Sequence, residues 1–198
     1  MARRPINGYE IDIARPVFRF TLPYDRIEIA DSLGAGEAQY TFRNVYKYVV
    51  HMGPEAYAGR YTPWLDEVLV HELTHVWQGH HAVIPWAYMI ESMACQGKAI
   101  GSAILRRKKL NAARNAAYDF KRDAARPDAV MKPFQDYNPE QQANIIETWY
   151  KEGMMDDDLF AYVQCNIWPG RARGFRNYRD MVTWQRRNVE SAPGELPY

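Results

Sequence analysis

Cysteine is scarce in this chain, with two in 198 residues, Cys95 and Cys165. They form no disulfide scaffold and no tight metal spacing such as C-x-x-C, so stability has to come from a packed core. Two buried thiols are the expectation. An excess of one charge is also missing. Lys and Arg number 25 against 24 Asp and Glu, a formal +1, which argues against nucleic acid as the main partner, because such domains are markedly basic. Nor does the chain have the low hydrophobicity of a disordered segment, at 47% hydrophobic residues.

A long unbroken apolar run is absent too. The nearest approach to a membrane span is 82–105, which carries Pro85, Glu91, Gln96 and Lys98. Those residues would be costly in hydrocarbon, so a buried helix is expected there. The opening Met1-Ala-Arg-Arg-Pro-Ile-Asn-Gly has charge but no apolar stretch behind it, so no secretory leader is expected. The expectation is a protein cytoplasmic in its producer that leaves, if at all, by another route. No internal repeat, low-complexity tract or linker stands out. The length reads as one domain over 1–198, with a core at about 17–188 and a loose tail at 191–198.

What is present is a patterned chain with 14% aromatic residues. Residues 1 to about 60 read as β and loop. Val17-Phe-Arg-Phe-Thr-Leu and Arg26-Ile-Glu-Ile-Ala alternate with period 2, and 45–51 is β-branched and aromatic. Helices follow. Thr62-Pro63 supplies an N-cap and a first-turn proline, and Leu65, Val68, Leu69, Leu73, Val76 and Trp77 recur at helical spacing, which predicts a helix over 63–78 with Gly79 as terminator. Further helices are expected at about 86–105, 112–122 and 177–188. Asn138-Pro139 opens another over 139–152, and 157–166 reads as a short helix or strand. The class this implies is α+β, a small N-terminal β region packed on a mainly helical core.

Within the helix at 63–78 stands His71-Glu72-Leu73-Thr74-His75, an H-E-x-x-H sequence. At 3.6 residues per turn, positions i and i+4 stack on one face, so both imidazoles can converge on one ion. Glu72, beside the first ligand, can reach water on that ion and act as general base. By composition alone the pattern arises by chance in roughly 1% of such chains, which favours a site over a polar face that happens to show these residues. Neutral imidazole is the metal-binding form, so affinity should fall on acidification.

Zinc in a catalytic site needs a third protein ligand. Glu91, Glu140 and Glu147 are the downstream candidates, and by spacing Glu91 looks natural. His80 and His81 follow His75 too closely to close the same site. Asp119 or Asp136 are candidates to orient a ligand imidazole, with Gln78 as a further polar neighbour. Trp77 reads as core, and His51 is left without a role at a strand end. By fold-level analogy only, the strand at 45–51 would flank the cleft and pair with an extended substrate.

Val70-His-Glu-Leu-Thr-His-Val-Trp-Gln78, Ala117-Tyr-Asp-Phe120 and Tyr137-Asn-Pro-Glu-Gln-Gln-Ala143 occur in this order. Together they resemble zincin metallopeptidase domains, gluzincin-like, that are linked to bacterial type VI secretion, including those fused to VgrG spike and Rhs-type proteins. The resemblance spans about 60–152, with the stretch between His81 and Ala117 looking like an insertion. It implies a zincin-like fold and a Zn2+ ion on His71, His75 and Glu140. It further implies Glu72 as general base and Tyr118 as the residue that stabilises the oxyanion. It also implies an effector toxin delivered by a secretion machine into the periplasm of a target cell. Its substrate would be an envelope protein or wall peptide, and an immunity protein would guard the producer. The alternative is a non-catalytic secretion-system cargo or adaptor whose zinc is structural.

Overall fold

The structure is a computed structural model and describes residues 1–34, 37–44, 46–82, 120 and 133–168. Within these, four strands form one sheet and five helices pack on it or on one another, a mixed α and β architecture. The strands are β1 (Arg3–Pro5), β2 (Ile27–Ala30), β3 (Tyr40–Arg43) and β4 (Tyr48–His51), in the order β1-β2-β4-β3. β2 and β4 pair in parallel, and β1 on β2 and β3 on β4 pair antiparallel. The β3–β4 hairpin is closed by Asn44, whose side-chain oxygen accepts from the backbone N–H of Tyr46 and Lys47.

The helices are α1 (Gly8–Phe18), α2 (Gly53–Tyr57), α3 (Pro63–His81), α4 (Pro139–Lys151) and α5 (Asp157–Tyr162), the last running into one widened turn at Val163–Ile167. α3 lies between the sheet and α4, and its apolar residues Leu65, Leu69, Leu73, Val76 and Trp77 are buried. Opposite them are Ile27, Ile29, Tyr48 and Val50 from the sheet and Ile145, Ile146 and Trp149 from α4. Trp77 is core, as its spacing implied, and its indole N–H donates to the Ile167 carbonyl. Cys165 is a buried free thiol, which burial pushes up to about 12. Cys95 lies outside the described residues. Among the described residues no helix is long and apolar enough to cross a membrane.

Several sequence expectations need correction. The alternation of Val17–Leu22 is not a strand. Val17 and Phe18 end α1, both fully buried, while Phe20 is 93% exposed on the turn that follows. α1 itself went unread, although Asn7 and Glu10 form a reciprocal capping box that starts it. β3 was missed as well. Gly79 does not end α3; it is buried within a helix that runs on to His81. His80 packs edge-on against Tyr48, and the His81 ring nitrogen meets the Thr21 carbonyl, so both lie away from the H-E-x-x-H face. The helices at 139–152 and 26–30's strand fall where expected, as α4 and β2. Those placed at 86–105, 112–122 and 177–188, and the tail, lie outside the described residues.

Candidate metal centre

α3 brings His71 and His75 to one face because they are four residues apart, with ring centroids 5.0 Å apart. α4 packs across that face and delivers Glu140 from its first turn. Asn138 starts α4 with a capping box to Gln141, and Pro139 occupies the first helical position, so the backbone holds Glu140 just inside the helix. The Nε2 atoms of His71 and of His75 each lie 3.5 Å from Glu140 Oε2. One ligand atom from each residue lies within 4.8 Å of the others, and all three side chains are buried. These three residues can hold a metal ion.

The distances fit such an ion. Zinc–ligand bonds of about 2.0–2.1 Å arranged tetrahedrally put neighbouring ligand atoms about 3.3–3.4 Å apart. Two of the edges here are 3.5 Å, long for hydrogen bonds but close to that spacing. Each imidazole is also gripped from behind. His71 Nδ1 lies 2.8 Å from Glu147 Oε2. His75 Nδ1 lies 2.8 Å from Gln78 Oε1.

The direction of that second contact follows from a chain of amides. Gln142 Nε2 donates to the carbonyls of Phe134 and Tyr137, at 3.0 and 3.1 Å. Its oxygen therefore accepts from Gln78 Nε2 at 2.9 Å, and Gln78 Nε2 also donates to the Pro139 carbonyl at 3.0 Å. Gln78 must then present its oxygen to His75, whose Nδ1 carries the proton. The Nε2 lone pair is left facing Glu140. The Glu147 carboxylate imposes the same tautomer on His71.

The three ligand candidates are electrostatically coupled. Burial alone would lower the His71 imidazole, but the Glu140 and Glu147 carboxylates outweigh it and hold it up to about 10. His75 is likewise depressed by burial and raised on balance by Glu140. Burial pushes Glu140 up, yet His75 and His71 hold it far below the usual carboxylate range.

Glu72 is also buried, next to His71, and points to the sheet. Its Oε2 accepts from the Thr41 hydroxyl at 2.8 Å, and the same hydroxyl lies 3.0 Å from the Glu72 carbonyl. The general-base candidate is thus tethered to β3, which lies at the end of the sheet among the described residues. The strand next to the site is β3, and not 45–51: Tyr48–His51 forms β4, paired on both sides by β2 and β3 and closed to an added strand.

No protein-family model, curated protein or solved structure compared with this chain matches it significantly. The centre therefore rests on its own geometry.

Of the candidates for the third donor, Glu140 is the one brought to both imidazoles. Glu147, one heptad on along the same helix, stands behind His71 at Nδ1. Glu91, Tyr118 and Asp119 lie outside the described residues. Asp136 is exposed; among the described residues, the groups on the Nδ1 atoms are Glu147 and Gln78. His51 is buried, accepts or donates with Ser32 Oγ at 2.8 Å and stacks on Tyr40 at 4.0 Å. Thr41 was the residue no motif announced; its only signal was the alternation of Tyr40-Thr-Phe-Arg43.

Proposed function

We propose that the chain is a zinc-dependent metallopeptidase of the zincin kind. The observation that carries this reading is the buried triad His71, His75 and Glu140 with Glu72 beside it and tethered at one oxygen. His71, His75 and Glu140 would hold the ion. The chemistry such an ion supplies when bound is Lewis acidity, toward a carbonyl oxygen and toward water.

The protein's own groups then have defined parts. Glu147 and Gln78 keep both imidazoles in the ligating tautomer. Glu72 takes a proton from the attacking water and returns it to the leaving amine. Thr41 holds one carboxylate oxygen, so the other is presented in a fixed direction. Tyr118 is proposed from the family resemblance as the oxyanion donor. By the same resemblance the chain is an effector toxin, carried by a secretion machine, that cuts an envelope protein or wall peptide and is countered by an immunity protein. The adaptor alternative would use a structural zinc, which takes four protein ligands. The described residues bring three donors together.

Glu72→Gln is the decisive variant. The zinc-loaded chain is expected to hydrolyse peptides, and the variant to keep about one zinc per chain while losing activity by about 100- to 10,000-fold. Hydrolysis undiminished by that change overturns the mechanism. Expression in a bacterial periplasm should slow growth for the wild-type chain and not for Glu72→Gln; equal growth would favour the adaptor.

A further inference from the structure

We propose that Arg43 is an anion-binding residue of the substrate cleft, selecting substrates with a carboxylate one or two residues from the scissile bond. The scissile bond has meaning only under the peptidase reading above, on which this inference rests.

Arg43 closes β3, two residues after Thr41. Side chains two apart on a strand share a face and lie about 6.6–6.8 Å apart. Thr41 touches the Glu72 carboxylate, so Arg43 extends the same row by one step away from the reacting centre. An extended peptide has that same repeat. A substrate held with its carbonyl at Glu72 would bring a group one or two residues away within reach of the guanidinium.

The guanidinium is also short of partners. Its carbon sits 5.4 Å from the centroid of the Tyr48 ring, a cation–π contact, but Nε is buried and makes no hydrogen bond. Arg19 likewise lies over a ring, that of Trp168, with no carboxylate on it, while several other cations among the described residues are paired. Arg4, also half-buried, is bidentate on Glu10. Lys47, Arg60 and Lys151, on the exposed surface, meet Glu28, Glu55 and Glu67. Arg43 meets no carboxylate among the described residues, and one oxygen of Glu72 is held by Thr41. A buried donor without a partner is costly; Trp149 Nε1 is another among the described residues, and Arg43 differs from it in standing one step along β3 from the residue that holds Glu72.

The last turn of α3 lies within electrostatic reach of Arg43. His80, on the exposed last turn of α3, is held below its ordinary value by burial first and then by His81, Arg26 and Arg43. Asp25, the acid that opposes them, pairs with Arg26. The end of a helix tolerates a cation but provides Arg43 with no acceptor here. An arginine presents a planar fork that fits a carboxylate two-pronged. The ligand chemistry is thus a carboxylate, borne by an acidic side chain or by a peptide's free terminus.

The experiment first locates the cut bonds by mass spectrometry, incubating the zinc-loaded full chain with a peptide library. Matched peptides then place Glu or Gln beside the bond with an amidated end, or Gln with a free carboxyl end, to separate the two sources. Acid over amide should be favoured about 10- to 100-fold in kcat/KM. In Arg43→Met, which keeps a stem over Tyr48, the ratio should fall to near one. Arg43→Lys, which keeps charge and loses the fork, should lower it severalfold and guards against a Met variant that does not fold. The same peptides are titrated by fluorescence anisotropy onto zinc-loaded Glu72→Gln, which needs no turnover. Acid-selective binding without any turnover would sink the peptidase reading and leave Arg43 an anion site. Turnover without acid preference, or a preference untouched by both Arg43 variants, overturns the inference. Neither turnover nor selective binding overturns both.

Discussion

Glu10 and Glu140 lie equally deep, at 0% and 1% exposed, and the protein treats them in opposite ways. Glu10 is met by the Arg4 guanidinium at 2.6 and 2.9 Å, the Asn7 N–H at 2.8 Å and the Tyr61 hydroxyl at 2.5 Å. Arg4 also donates to the Ala56 and Tyr57 carbonyls. The cation is permanent, and the network ties β1, α1, α2 and the entry to α3 together. Among the described residues, Glu140 instead faces two imidazoles, cations only when protonated. A buried carboxylate with a fixed cation is a fastening. One whose counter-charge is supplied by titratable rings suits an ion that comes and goes.

The largest expected effect is on that ion. Glu140→Gln should weaken zinc binding on the order of a thousandfold, measured by competition with a chelator. Undiminished affinity would give the third position to another residue. Glu10→Gln should leave zinc affinity unchanged and instead cost about 2–3 kcal/mol of stability, because Arg4 is left partly buried beside a neutral amide. At about 2–4 °C per kcal/mol for this length, thermal unfolding should fall by about 4–12 °C. If both variants lose the same property, the two carboxylates are not the contrasting pair drawn above. Third in size, Gln142→Leu removes a group that touches neither metal nor ligand. It frees Gln78 to flip, and so lowers zinc affinity by about 10- to 100-fold, the usual reach of outer residues.

The two regions also differed in how far the chain's letters disclosed them. The centre was legible because its chemistry is local: His71 and His75 share a helix announced by Thr62-Pro63, and Glu140 follows Asn138-Pro139 at the head of another. Even so, spacing favoured Glu91, and Glu140 came forward through resemblance to a family. The Glu10 fastening was not legible. Tyr61 reaches back across 51 residues and Arg4 donates across 52 and 53, separations no periodicity encodes. Its one local sign, Asn7 three residues before Glu10, lay ahead of Val17–Leu22, whose alternation pulled the reading toward strand. Thr41 was hidden similarly, since a four-residue strand has too few positions to declare its pairing.

The smallest effect separates the two regions by pH. Arg4 is pushed above its ordinary value, first by its hydrogen bond to Glu10, and burial drives the Tyr61 hydroxyl up as well, so neither changes charge between pH 6 and 9. His71 titrates toward about 10 in the metal-free fold and near 6.5 when unfolded. A raised folded value means stability that is complete below about 6.5 and lost as pH rises toward about 10. The metal-free chain should therefore unfold a few degrees lower at pH 9 than at pH 6. Metal binding requires neutral imidazole, so the gain in unfolding temperature on adding zinc should run the other way and grow from pH 6 to 8. Calorimetry with and without zinc across that range checks both slopes. Parallel slopes would mean that protons and the ion do not compete for the same two rings, and the centre would lose the property that distinguishes it from the fastening at Glu10.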